Sequence, residues 1–137
     1  MIIGIGIDFE EVDRVQAAIE RHGTRFIERI FTPREIAYVE ERANRMERYA
    51  VRFAAKEAAM KALGTGWSCG VSWLDCEIFN DGDGRPHLEL HGKAAEIAAQ
   101  RGCTRRWVSL SHTHRGVVAQ VILEADSLSG AGAAASS

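Results

Sequence analysis

The sequence predicts an α+β fold, a mainly antiparallel sheet covered by helices, and three observations carry that prediction. Apolar residues recur at helical spacing through most of the first half of the chain; beyond Gly66 the period falls to two; and the strand-like runs there come in pairs separated by turn residues. The resulting order is one strand, several helices, a hairpin, a helix and a second hairpin. Such an order leaves the helices free to cover an antiparallel sheet.

Each element has its own signal. Ile2, Ile3, Ile5 and Ile7, interleaved with Gly4 and Gly6, read as a short buried strand that ends at Asp8. From Glu10 to Arg21, Val12, Val15, Ala18 and Ile19 fall on one helical face, and Gly23 is the expected stop. A short helix over Thr24 to Phe31 places Phe26, Ile27 and Ile30 inward. Thr32-Pro33-Arg34-Glu35 then opens a helix with a hydroxyl cap, a proline in the first turn and an acid to follow, running through Ile36 and Val39 to about Arg42.

After a break at Ala43 or Asn44 comes the stretch around which the chain is organised, a helix from Arg45 that Gly64-Thr65-Gly66 ends. Val51, Ala55, Ala58, Ala59 and Ala62 give it a buried seam of small side chains that lets another backbone approach. Arg45, Arg48, Arg52 and Lys56 form a cationic stripe, while Phe53, Glu57 and Lys61 follow one another at steps of four. Trp73 to Phe79 and Pro86 to Leu90 read as a hairpin around the turn Asn80 to Gly84. Gly92 to Arg101 is a helix stopped by Gly102, and Arg106 to His112 and Gly116 to Glu124 are the last two strands. One domain is expected over residues 1–125; residues 126–137, mostly small and polar, cannot bury enough apolar area to offset ordering entropy and read as a disordered tail.

Composition narrows the function. The 137 residues are 46% apolar and 26% charged, ordinary for a globular protein, and a net charge of -2 argues against general nucleic-acid binding. Arginines nevertheless crowd between Arg14 and Arg52, so a local anionic partner is expected, a phosphate or an acidic protein. Cys69, Cys76 and Cys103 form no CxxC pair, which points to reduced thiols and a cytoplasmic setting. The N-terminal stretch has neither a basic segment nor a long apolar run, so neither a signal peptide nor a membrane span is expected.

Three residues carry candidate chemistry, each beside a blander role. Asp8 could cap the following helix with Glu11 at about 1 kcal/mol, or could ligate a hard cation from the end of a strand. Glu57 and Lys61 could be an exposed helix pair of about 0.3–0.5 kcal/mol, or could present an anion and a cation to one site. Gly4-Ile5-Gly6 resembles the start of a dinucleotide fingerprint, but Phe9 stands where the third glycine belongs. His112 and His114 have no acid at metal-ligand spacing, and no GxSxG nucleophile elbow occurs. Two acids on separate elements, a lysine and many arginines would suit magnesium-assisted phosphoryl or pyrophosphate chemistry.

GIGIDFEEVDR from Gly4 to Arg14, RFAAKEAAMKALG from Arg52 to Gly64 and VSLSHT from Val108 to Thr113 together resemble the holo-acyl-carrier-protein synthases, the small class of 4'-phosphopantetheinyl transferases. The resemblance implies a 4'-phosphopantetheinyl transferase-like fold. It implies transfer of 4'-phosphopantetheine from coenzyme A to a serine of apo acyl carrier protein, releasing adenosine 3',5'-bisphosphate, in fatty-acid or related synthesis. It also implies a homotrimer with interfacial active sites. Under it, Asp8 and Glu57 match magnesium-binding acids and Lys61 matches a phosphate-contacting lysine, the three together forming the catalytic set. Arg52 and His112 match contacts to the nucleotide end of coenzyme A; Arg14 and Arg21, extended by Arg25, match the carrier-protein surface. Thr113 and His114 follow His112 where some members carry an acid. The competing expectations are a non-catalytic module that binds coenzyme A or a carrier protein, and a magnesium-dependent pyrophosphate hydrolase.

Overall fold

The computed structural model describes residues 1–66 and 68–126, so Trp67 and nearly all of the expected tail lie outside the described residues. Five strands and five helices follow one another as β1 (Ile2–Glu11), α1 (Val12–His22), α2 (Thr24–Ile30), α3 (Pro33–Glu40), α4 (Arg45–Leu63), β2 (Cys76–Asn80), β3 (Pro86–Leu90), α5 (Gly92–Gln100), β4 (Cys103–His112) and β5 (Gly116–Ala125). All strand pairs are antiparallel: β1, β5 and β4 form one sheet in that order, and β2 with β3 forms a separate ribbon. This is the α+β architecture that the sequence predicts.

Helix α4 is the centre of the core. Val51, Ala54, Ala55, Ala58, Ala59 and Ala62 are all buried, as the small-residue seam requires, and pack beneath the β1–β5–β4 sheet. The backbone approach is close: a β-carbon at Gly4 would overlap the Ala62 carbonyl oxygen, and one at Gly6 would overlap that of Ala58. These two glycines therefore serve helix packing, which accounts for the Gly-Ile-Gly run without a nucleotide. Gly64, in the left-handed conformation at φ 79°, ends α4 as expected, and Asn44 opens it at φ 58°.

Five local expectations need correction. Strand β1 does not end at Asp8 but continues to Glu11, and its isoleucines are not uniformly buried: Ile2, Ile5 and Ile7 are each more than half exposed. From Gly4 on the inward positions belong to the glycines, so Ile5 and Ile7 face outward; a register shift between Ile2 and Gly4 sets the first residues apart, and Ile3 packs against the core. Asp8 is therefore no helix cap; that position falls to Glu11, which makes no side-chain capping bond. Trp73–Asp75 forms one turn of 3-10 helix rather than the start of β2, fixed by a capping box between Ser72 and Asp75, and β4 begins three residues earlier than predicted.

The cationic stripe of α4 also divides. Lys56 is fully buried, its Nζ 2.8 Å from Glu35 Oε1 and donating to the Trp73 carbonyl. Glu35 in turn accepts from the Thr32 and Ile78 amides at 2.9 and 2.8 Å. A buried ion pair survives only when its remaining hydrogen-bonding positions are filled, and here they tie α3, α4 and β2 together.

Candidate active site

Side-chain alternation along β1 puts Gly4, Gly6, Asp8 and Glu10 on the face that meets α4. Their cross-strand partners confirm the side: Asp8 lies opposite Ala119 and Glu10 opposite Val117, both buried. Two strand residues advance about 6.6 Å and four helical residues about 6.0 Å. The Gly4–Ala62 and Gly6–Ala58 contacts thus continue in step, and the first two side chains beyond the glycines are acids.

Lys61 reaches back across this contact. Its Nζ donates to the Ile7 carbonyl at 3.0 Å and to Asp8 Oδ1 at 3.1 Å, with the lysine side chain 54% exposed and the aspartate 12%. The other aspartate oxygen, Oδ2, is buried and has no hydrogen-bond partner. An unsatisfied buried carboxylate oxygen costs about 1–3 kcal/mol or more, a cost that a cation, or the proton Glu10 shares with Asp8 in a side-chain hydrogen bond, relieves. Glu10 is pushed up to about 8, first by burial, then by the Asp8 carboxylate beside it and by Glu57, with Arg14 partly opposing. Asp8 and Glu57 thus both act on Glu10, while Lys61 holds Asp8. Asp8, with one buried oxygen unpartnered and a second acid beside it, has the chemistry to suit a hard divalent cation, which takes one or two acids and fills the rest of its shell with water and phosphate oxygen.

Glu10 has no place among the residues singled out from the sequence. The signal was the period-two alternation itself: once the strand extends past Asp8, position 10 must share its face.

At the N-terminal half of α4 the chemistry is opposite. A polar cleft of about 210 Å³ is lined by Tyr38, Arg48, Arg52, Asn80, Pro86 and His112, among others. Arg52 is 3% exposed; its Nη2 donates to Asn80 Oδ1 at 2.6 Å, its Nη1 to the Arg48 carbonyl, and its guanidinium lies 4.6 Å from the Tyr38 ring centre. Burial lowers its affinity for the proton, an effect partly offset by Tyr38 and Glu35. Arg52 Nε is buried without a partner, a donor left for an acceptor. His112, at the end of β4, pairs through Nδ1 with Glu47 Oε1 at 3.0 Å.

The predicted carrier-surface arginines are exposed. Arg14 and Arg21, two turns apart, line one shallow hollow on α1 together with His22, and Arg25 lies in the first turn of α2. His112 and His114 do not form a metal pair: His112 is engaged with Glu47, and His114 is an exposed turn residue. Among the described residues, Glu77, Glu89 and His91 do bring three ligand atoms within 4.8 Å of one another. Arg34 already bridges both glutamates there, at 2.9 and 3.1 Å, so a guanidinium supplies the cation.

An acid cluster with a lysine at one end of a helix, and a basic cleft at the other, make a two-ended polar site of the kind that suits an enzyme acting on an anionic substrate. The chain belongs to the 4'-phosphopantetheinyl transferase superfamily, whose model matches residues 4–121. It is 56% identical over 124 residues to the holo-[acyl-carrier-protein] synthase of Solibacter usitatus, covering 90% of this chain and 99% of the relative. The corresponding protein of Koribacter versatilis is 53% identical with the same coverage. The crystal structure of holo-[acyl-carrier-protein] synthase from Neisseria meningitidis superposes with a TM-score of 0.82 at 34% identity, covering 90% of this chain and 99% of that one. The Bacillus anthracis enzyme, in complex with coenzyme A (3',5'-ADP), gives 0.76 at 38% identity, covering 92% and 99%.

Proposed function

We propose that this protein is a holo-[acyl-carrier-protein] synthase that moves 4'-phosphopantetheine from coenzyme A to a serine hydroxyl of apo acyl carrier protein. The observation that carries the reading is the meeting of Asp8, Glu10 and Lys61 on one side of the β1–α4 contact, with one buried Asp8 oxygen unpartnered.

Arg52 and His112 bind the nucleotide end of the donor. Its diphosphate extends along α4 toward Lys61, nine residues on and roughly 13 Å away along the helix axis. There the serine oxygen forms a bond to the phosphorus that carries pantetheine, and the bond from that phosphorus to the bridging oxygen breaks. Adenosine 3',5'-bisphosphate leaves with the bridging oxygen, and Glu57 accepts the serine proton. Lys61 steadies the charge that grows on the leaving group, where an oriented cation contributes most. Asp8 and Glu57 would hold Mg2+, which when bound supplies Lewis-acid stabilisation of phosphate oxygen. Arg14, Arg21 and Arg25 meet the acidic carrier protein.

The outer face of the sheet supports assembly of copies of this chain. Ile5, Ile7 and Phe9 on β1 and Trp107 on β4 are each more than half exposed on this face, the kind of apolar surface that marks an interaction site. A homotrimer with the clefts at its interfaces covers that face, and light scattering should return three times the chain mass. A cytoplasmic location suits coenzyme A chemistry, and no helix among the described residues is long and apolar enough to cross a membrane.

The direct test incubates apo carrier protein, coenzyme A and magnesium, then reads the carrier by mass spectrometry. Addition of one phosphopantetheine per carrier is expected. Binding without any increment would favour the non-catalytic module, and donor cleavage without carrier would favour a hydrolase; either overturns the transferase.

A further inference from the structure

Beside the basic cleft stands a charge of the opposite sign. Glu47, in the first turn of α4, is an acid directly beside Arg48 and five residues before Arg52, next to a cleft furnished to attract anions and joined to it through His112, which lines that cleft. Its side chain is only 15% exposed, and its contact is with His112, 65 residues away in sequence. If Glu47 acted only through its charge, it would repel the phosphates that Arg52 and His112 attract.

The contact geometry gives it a different task. A carboxylate only accepts hydrogen bonds, so at 3.0 Å the His112 Nδ1 carries the hydrogen and donates it to Glu47 Oε1. With Nδ1 engaged, the other ring nitrogen, Nε2, is the one left for a ligand in the cleft that His112 lines. A histidine at a strand end, 34% exposed, has little else to hold its ring: the next residues, Thr113 to Arg115, form a turn closed by the Thr113 hydroxyl and are themselves exposed. Fixing one imidazole nitrogen with a carboxylate is the general way in which proteins set the tautomer and orientation of a functional histidine.

We infer that Glu47 is a positioning residue for the donor: it does not touch the nucleotide but holds the His112 ring so that Nε2 faces it. This rests on the reading of the cleft as the site for the nucleotide end of coenzyme A. The positioning role outweighs the repulsion that the same charge would exert.

The two effects predict opposite signs, so one set of variants separates them. Glu47→Ala and Glu47→Gln both remove the charge and its favourable place in the first turn of α4, so any general loss of helix stability is common to both. Only Gln keeps an oxygen that can accept from Nδ1. The measurements are the Kd of adenosine 3',5'-bisphosphate by calorimetry, the KM for coenzyme A, and the ¹⁵N shifts of the His112 ring in the full-length protein. Glu47→Ala should weaken binding and raise KM about tenfold, the size of one lost charge-assisted hydrogen bond, with kcat changed much less. Glu47→Gln should recover most of that loss. The ring shifts should show Nδ1 protonated in the wild type and in Glu47→Gln, with the other tautomer gaining in Glu47→Ala. On a His112→Ala background, Glu47→Ala should change KM by less than about twofold, because a positioning residue acts through the group it positions. Tighter binding in both Glu47 variants, or an equal loss with and without His112, would overturn the positioning role alone. Absence of measurable nucleotide binding by the wild-type protein would overturn the cleft assignment and this inference with it.

Discussion

The two halves of α4 put opposite electrostatics on one rigid element. Its C-terminal half sets Glu57 and Lys61 against Asp8 and Glu10 of β1, an acid-rich site with a half-exposed lysine. Its N-terminal half sets Arg48 and Arg52 against His112 and Asn80, a basic cleft with one buried guanidinium. A substrate with phosphates at both ends can be gripped at one and altered at the other. On the proposed reading, binding energy spent in the basic cleft would hold the reacting phosphorus still, while growing charge would be stabilised at the acidic end. Substitutions in the two halves should therefore fail differently.

The sharpest way to break that contrast is Lys61→Ala. Kcat should fall by about 10²–10³, with the Kd for coenzyme A changed less than about tenfold; a rise in KM alone would move Lys61 into the binding half. In the other half, Arg52→Lys should raise the KM for coenzyme A about tenfold with kcat nearly kept, since lysine cannot reproduce a fork that serves Asn80 and the Arg48 carbonyl at once. Arg14→Glu tests a third surface and should raise the carrier's KM several-fold more than that of coenzyme A, increasingly so at low salt.

The smallest effect is one of stability. Glu10 binds its proton more tightly in the folded protein than in the unfolded chain, with a value of about 8 against an ordinary 4.5. A raised carboxyl of this kind costs stability progressively as pH climbs from 4.5 to 8. Metal-free Glu10→Gln should therefore melt higher than the wild type above pH 8, and the gain should vanish below pH 4.5. A gain independent of pH would show that Glu10 does not face the acids.

The same contrast explains what could be read from the sequence. Helix ends were legible because each has a local chemical signal: the Thr32–Glu35 capping box on α3, Gly23 after α1, Gly64 after α4. The Gly4 and Gly6 approach was half legible; the alanine seam announced a close neighbour without saying that β1 was that neighbour. What failed were properties set by distant partners. The burial of Lys56 depends on Glu35, 21 residues earlier, and the exposure of Ile5 and Ile7 depends on a face that this single chain leaves uncovered. The isoleucine run ends before Glu10, and only its period-two alternation, continued past Asp8, carries the inward face on to that position. Glu47 carries no sequence signal at all, since its partner lies on another element.

The account depends most on Asp8, whose buried oxygen and whose bond to Lys61 join the strand to the helix. The direct measurement is single-turnover conversion of apo carrier protein by Asp8→Ala, read by mass spectrometry at saturating coenzyme A and across a magnesium titration. Conversion should be lost at every magnesium concentration while coenzyme A still binds in the basic cleft. Turnover at the wild-type rate, with its magnesium dependence intact, would contradict the account.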